Sequence, residues 1–419
     1  MEISQILVCR ENKSNLIKSY TKDYQVVTLK ANIVGENKNM KEAYILLSYF
    51  DKLLPSNYLK KQVLDDLDGP MIIYLYNLDK SLKEDMILIE QNNSLGRFID
   101  IDVYFNDTKS LNRTVLRKCY LCDNPAFVCG RNKTHTVEEL NNYLKQEVFN
   151  HLSNTITNLC DQSMMAELNL HPKFGLVTPY TNGSHKDMDY DLMIKAKKSI
   201  LPYFSSMIKI GYNSDNLKQI FQAIRKIGIE AEKNMFLETN GINAYKGLIF
   251  ALGLAVTSVT NKISNLKQKR TWSQILASMT QGITKELEQG NETFGKIAYK
   301  KYNIKGARHQ AELGFPIVNE VINKYNLDND ETLLKALCYL ISNIDDTVLL
   351  KRCNDIKLYN QVKTKFKELD CNKENINDLN EYCINNNLSF GGSADLLIVS
   401  VFIKKINQLF NFDLFQERK

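Results

Sequence analysis

Two acidic residues on one short segment are the first candidates for chemistry. The stretch Leu95-Gly96-Arg97-Phe98-Ile99-Asp100-Ile101-Asp102-Val103 alternates polar and apolar side chains, and strand side chains point to opposite faces in turn. Asp100 and Asp102 then share one face, and Ile99, Ile101 and Val103 share the other. Two carboxylates about 7 Å apart along a strand can hold Mg²⁺ together with a substrate's phosphates. Phosphoryl and nucleotidyl transfer needs that neutralisation as pyrophosphate departs. Arg97 is a candidate for a bidentate phosphate contact. The plainer alternative is a half-buried strand with a solvated acidic face.

A second constellation follows at once. Cys119, Cys122, Cys129 and His135 lie within 17 residues. Three thiols and an imidazole at these spacings can reach one tetrahedral Zn²⁺ as a structural site. Pro125 and Gly130 permit the tight bends. Buried free cysteines acting as small apolar residues, or a redox Cys-x-x-Cys pair, are the alternatives.

Four segments of the second half carry further candidates. In Asn182-Gly183-Ser184-His185-Lys186-Asp187-Met188-Asp189-Tyr190, Ser184 can cap a helix that places Asp187 and Asp191 one turn apart. Asn240-Gly241 marks a turn, after which Lys246 stands at the start of an apolar helix. Asp345-Asp346 and Lys351-Arg352 put opposite charges about a turn apart. Ser389-Phe390-Gly391-Gly392-Ser393 leads into another apolar helix, where free backbone N–H groups make an anion site that glycines let a phosphate approach. Each also has an ordinary reading, as acidic enrichment at a helix start, a solvated lysine, a surface ion pair or a plain capped helix.

These residues need two kinds of scaffold. Ile72-Ile73-Tyr74-Leu75-Tyr76 and the segment 99–105 read as strands. The 40–50 stretch has a helical apolar pattern through Ala43, Leu46, Leu47 and Phe50. The first part is therefore predicted to be α+β. Thr136-Val137-Glu138-Glu139 matches a capping box and predicts a helix running to about residue 160. Helical patterns follow at 187–207, 214–238, 244–263, 272–289, 309–325, 330–342, 355–368 and 394–410. The expectation is a multidomain chain, with an α+β domain over 1–150 and an all-α helical bundle over 160–419. The length of 419 residues suits two or three domains.

The net charge is +6, and residues 1–160 balance at 20 basic and 20 acidic groups. The excess lies in the second half, which suits anionic small molecules better than a nucleic-acid track. No basic segment followed by an apolar core opens the chain. The apolar run at 248–256 is too short for a membrane span, so neither nucleic acid nor membrane is an expected partner. Nine cysteines, an odd number, fit a reduced, cytoplasmic protein better than a disulfide scaffold.

The segment around Arg97–Asp102, with Arg117-Lys118-Cys119-Tyr120-Leu121-Cys122, Cys129-Gly130-Arg131 and Thr134-His135-Thr136, resembles the citrate lyase phosphoribosyl-dephospho-CoA transferase family. The resemblance spans roughly 1–150 and implies nucleotidyl transfer. A serine hydroxyl of an apo acyl carrier protein would attack the triphosphate of triphosphoribosyl-dephospho-CoA and release pyrophosphate, with Asp100 and Asp102 as the catalytic Mg²⁺ site. The second-half segments together resemble the triphosphoribosyl-dephospho-CoA synthase family over about 160–405. That resemblance implies glycosyl transfer from ATP to the ribose 2′-hydroxyl of dephospho-CoA, with adenine leaving. Such a reaction passes through an oxocarbenium-like state and wants carboxylates and an acid. Asp187, Asp189, Glu232, Asp346 and Asp395 are the carboxylate candidates. Lys186, Lys246, Arg352 and the Gly391-Gly392-Ser393 turn are the substrate triphosphate candidates. The chain departs from that family's pattern at several polar positions, among them Tyr245, His309-Gln310, Val348 and Lys351. The leading expectation is a bifunctional enzyme. Other readings are an active first half with a degenerate second half, service to a malonate decarboxylase carrier, and a zinc-binding nucleic-acid module.

Overall fold

A computed structural model describes residues 3–78, 82–105, 116–288, 293–369 and 373–416. The chain divides into two compact units. The first comprises Met1–Ser153, Ile263–Lys269 and Gln408–Lys419; the second comprises Asn154–Lys262 and Arg270–Asn407.

The first unit is built on four antiparallel strands, β1 (Gln25–Ala31), β2 (Lys60–Asp66), β3 (Gly69–Tyr76) and β4 (Ile99–Tyr104), in the order β2-β3-β1-β4. Residues directly opposite one another share a face. One face carries Val27, Leu29, Ile72, Tyr74, Ile101 and Val103, all buried. The helix Lys41–Asp51 packs on β1 and β3 and buries Ala43, Leu46, Leu47 and Phe50. Each such side chain contributes roughly 1.5–3 kcal/mol by leaving water.

The other face is split along the strands. Val26, Met71, Ile73 and Leu75 form an apolar cluster with Ile17 of the helix Ile3–Tyr20. Further along, Lys30 stands opposite Asp100 and Thr28 opposite Asp102. The apolar part anchors the helix Ile3–Tyr20, and the polar part leaves space beneath it. The β2–β3 hairpin closes through Gly69 at φ +89, where a Cβ would sit 2.8 Å from the Lys38 side chain.

The expected α+β character is thus found, and Ile99, Ile101 and Val103 are buried while Asp100 and Asp102 face the other way. The helix Val137–Asn169 opens with the predicted box: the Glu139 N–H donates to Thr136 Oγ1 at 3.1 Å, and the Thr136 N–H donates to Glu139 Oε2 at 2.8 Å. It runs nine residues past the predicted end.

Among the described residues the second unit contains helices and no strand. Several predicted boundaries move. The 309–325 pattern is two helices, Gly306–Glu312 and Pro316–Lys324, split where Gly314 and Phe315 both take positive φ. The 272–289 pattern ends as an α-helix at Met279, before Gly282 at φ +82. The helix expected from 187 begins at Tyr190. Its cap is Asp189, which accepts from the Leu192 N–H at 2.8 Å. Ser184 instead donates to the Cys383 carbonyl at 3.3 Å. Asp187 therefore lies outside the helix and shares no helical face with Asp191. The helix Lys246–Ser264 is long and apolar enough by composition to cross a membrane, but 89% of its apolar window is buried within the protein.

Candidate active sites

Between the helix Ile3–Tyr20 and the polar part of the sheet lies a cavity of about 230 Å³. Arg10, Lys13, Lys30, Asp68, Asp100 and Asp102 line it. The two predicted carboxylates therefore face one space. Burial holds the Asp100 carboxyl above the usual carboxylate range; Arg117 opposes this and Asp102 reinforces it. Arg117 pairs with Asp100 and, at 3.2 Å, with the buried Glu90. Glu90 in turn accepts the Ile101 N–H at 2.7 Å, so it satisfies the outer edge of β4. One glutamate thus stabilises a sheet edge and fixes the arginine that fixes Asp100.

Arg97 does not line this cavity. Its guanidinium donates to the Cys119 carbonyl and lies 5.8 Å from the centre of the Tyr120 ring. It lies in the single helical turn Gly96–Phe98 that precedes β4, so strand alternation does not carry it to the carboxylates. In this position Arg97 braces the cysteine loop. Sequence reading passed over Arg10, Lys13, Lys30 and Asp68, and quoted Arg117 without a role.

Cys119, Cys122, Cys129 and His135 converge. Their ligand atoms all lie within 4.8 Å of one another. Cys122 Sγ is 3.4 Å from Cys129 Sγ and 3.4 Å from His135 Nε2. Ligands at zinc–sulfur distances stand about 3.8 Å apart at the corners of a tetrahedron, so this donor set fits. The loop is held by Cys119 N–H to Asn124 O at 2.8 Å and by the short helix Ala126–Asn132.

In the second unit, Asp346 is buried and caps the helix Thr347–Cys353, accepting from the Val348 and Leu349 N–H groups at 2.9 and 3.1 Å. It also accepts from the Ser393 N–H at 2.9 Å and the Ser393 hydroxyl at 3.0 Å. A Cβ on Gly392 would come within 3.1 Å of its carboxyl group. At the Gly391-Gly392-Ser393 turn, Ser393 thus serves the chain's own aspartate.

Asp395 lies against Gly247, where a Cβ would collide with its carboxylate. Burial holds its carboxyl well above the usual range, with Asp346 and Glu167 adding to the effect. Tyr245 is buried nearby, and its hydroxyl has no hydrogen-bond partner among the described residues. Glu167 pairs with the equally buried Lys173 at 2.8 Å. Arg352 donates to His185 Nδ1 at 3.1 Å and to the Ser184 carbonyl. Nε2 of His185 then carries the proton toward Ser389 Oγ, 3.0 Å away. Burial and Arg352 hold His185 down at about 4.

Asp346, Asp395, Gly392, Ser393 and the start of the Lys246 helix thus come together. Lys246 itself pairs with Glu232. Asp187 is exposed, with Oδ1 3.9 Å from His185, and Lys186 and Asp189 are exposed as well. Glu167, Lys173, Tyr245 and His185 were not candidates; Glu167 lies in the last turn of the helix Val137–Asn169, where no local motif marks it.

A family model described as ATP:dephospho-CoA triphosphoribosyl transferase (CitG) matches residues 153–413. The chain belongs to this family. A second model, apo-citrate lyase phosphoribosyl-dephospho-CoA transferase (CitX), matches residues 1–151. A Leuconostoc mesenteroides subsp. cremoris relative named Protein CitXG is 33% identical over 82% of each chain. A Haemophilus influenzae protein of the same name is 28% identical over 96% of each chain. A Haemophilus ducreyi 2-(5''-triphosphoribosyl)-3'-dephosphocoenzyme-A synthase is 32% identical, covering 67% of this chain and 98% of its own. The fusion is a multifunctional transferase with ATP and dephospho-CoA as substrates, uniting synthesis of the prosthetic-group precursor with its transfer to apo-citrate lyase. These matches do not favour a degenerate second half or a nucleic-acid module.

Proposed function

We propose that the first unit carries the transfer step on its Asp100–Asp102 cavity and the second carries the synthesis around Asp395. The observation that supports this most is the pairing of both strand carboxylates with a cationic wall in one cavity. In the transfer, the carrier serine oxygen bonds to the α-phosphorus of triphosphoribosyl-dephospho-CoA. The α–β phosphoanhydride bond breaks, pyrophosphate leaves with the electron pair, and the serine proton passes to the Asp100–Asp102 pair. Those two carboxylates are the residues that would hold Mg²⁺, which when bound neutralises charge on the phosphates. Arg117 keeps Asp100 in place. The acceptor is the acyl carrier protein of citrate lyase.

In the synthesis, the 2′-hydroxyl of dephospho-CoA bonds to C1′ of ATP as the bond to adenine breaks. Asp395, protonated in its site, gives its proton to the departing base while the hydroxyl's proton passes to solvent, and Asp346 and Glu167, whose charges act on Asp395, favour the developing positive charge. Lys246 and Arg352 are the cations for the triphosphate, with Lys186 at the exposed edge, and Glu232 orients Lys246. Asp187 and Asp189 act through the loop that carries His185. The helices of this unit enclose the site as a bundle.

Mass measurement of the carrier tests the whole reading. The purified chain with ATP, dephospho-CoA and apo carrier should add one phosphoribosyl-dephospho-CoA to it. A gain that requires pre-made triphosphoribosyl-dephospho-CoA would remove the synthesis claim, and no gain in either case would remove both.

The cysteine cluster we assign to structural zinc. Metal analysis of the purified chain should find about one zinc, and Cys122→Ser should lose it and lower the Tm of the first unit. Metal-free protein of unchanged Tm would refute this assignment. Free thiols at Cys119, Cys122 and Cys129 suit a cytoplasmic setting.

A further inference from the structure

We propose that Arg10 and Lys30, aimed by the buried carboxylate of Asp68, form a dedicated site for the β- and γ-phosphates, and hence for the leaving pyrophosphate. The inference rests on the reading of the Asp100–Asp102 cavity as the transfer site.

The observation is an imbalance around one carboxylate. Asp68 is 1% exposed and pairs with three cations: Arg10 at 2.8 Å, Lys30 at 2.5 Å and Lys13 at 3.7 Å. Burial opposes its ionisation, yet hydrogen bonds from Lys30 and Arg10 hold it below the usual carboxylate range. One charge cannot balance three. Lys13 is compensated elsewhere, by Asp66 at 2.7 Å and the Gly69 carbonyl at 2.6 Å, and it is 3% exposed. Arg10 and Lys30 are 56% and 23% exposed and line the cavity. Arg10 and Lys30 therefore share the one Asp68 carboxylate, and both face the space.

The sheet face that carries Lys30 also carries Asp100 and Asp102. Register places Lys30 directly across from Asp100, on the neighbouring strand. A cavity that sets cations beside carboxylates suits a magnesium-bound polyphosphate, whose metal and outer oxygens need partners of opposite charge. Arg10 donates to Asp68 through Nε and one terminal nitrogen. Its orientation is thus fixed before any ligand arrives, which lowers the ordering cost of binding. Asp68 is the positioning residue. It occupies the hairpin between β2 and β3, so the turn that joins two strands also orients two phosphate contacts.

The test uses the full chain and the transfer half-reaction with pre-made triphosphoribosyl-dephospho-CoA. Pyrophosphate with Mg²⁺ is added as product inhibitor, and phosphoribosyl-dephospho-CoA, which lacks the two outer phosphates, as a second inhibitor. Lys30→Met and Arg10→Gln should each raise the inhibition constant for pyrophosphate and the KM for the triphosphate by about tenfold or more. The inhibition constant for phosphoribosyl-dephospho-CoA should stay within about twofold. Lys30→Arg should recover most of the loss. Retained inhibition by phosphoribosyl-dephospho-CoA reports that the first unit is folded, and adenine release from ATP reports that the second is. An equal loss for both inhibitors, or no loss for either, overturns the inference while leaving the transfer reading intact. Wild-type protein that turns over no pre-made substrate would instead defeat the transfer reading.

Discussion

Replacing Asp100 and Asp102 together by Asn is expected to lower transfer from pre-made triphosphoribosyl-dephospho-CoA by at least about 1,000-fold, because several kcal/mol of charge neutralisation at the phosphates is lost. Asn preserves the volume of each side chain, and both side chains face the cavity and not the apolar layer under the helix Lys41–Asp51. The fold should therefore persist. Adenine release from ATP, assigned to the other unit, should stay within about twofold. The Asp100→Asn single variant carries a second cost, since Arg117 keeps Glu90 as its carboxylate partner and loses the other. Carrier mass spectrometry reads the outcome directly, and transfer at more than a tenth of the wild-type rate in the double variant would refute the metal-site assignment.

The second large effect concerns Asp395. Asp395→Asn should reduce adenine release by about 100-fold or more, the scale of a lost general acid, while transfer from pre-made substrate continues. The pH dependence has a definite sign. Burial, then Asp346 and Glu167, hold the Asp395 carboxyl well above the usual range. It keeps its proton where an exposed aspartate has lost one. Synthesis should accordingly fall as pH rises through that raised value, and the Asn variant should lose this limb. Stability follows the same sign: a raised folded-state pKa favours the fold at low pH, and the contribution fades as pH rises above the ordinary aspartate value. A wild-type rate that climbs across this range, or an Asn variant of unchanged rate, would sink the assignment of Asp395 as acid.

Local patterns were legible where one element supplies all the information. Strand alternation placed Asp100 and Asp102 on one face, and four donors within 17 residues announced a common centre. The helix Ile3–Tyr20 was not legible for a physical reason. Its buried positions include Ile6, Lys13 and Ile17, and Lys13 is buried because Asp66 and Asp68, more than fifty residues away, receive it. Counting apolar residues cannot reveal a helix whose inner face holds a cation. Arg10, Lys30 and Asp68 were missed for the same cause, since only strand register and hairpin geometry bring them together. The Gly391-Gly392-Ser393 turn shows the converse. Its composition suggests an acceptor for its donors, but nothing local shows that Asp346, 47 positions earlier, takes those of Ser393.

Asp346 joins the beginnings of two helices, Thr347–Cys353 and Gly391–Leu409, through a single buried carboxyl group. Neither start can unravel without exposing the same side chain. The two should therefore open as one cooperative unit, and the amide protons of Leu349 and Ser393 should exchange with solvent deuterium at matching rates despite their separation in sequence.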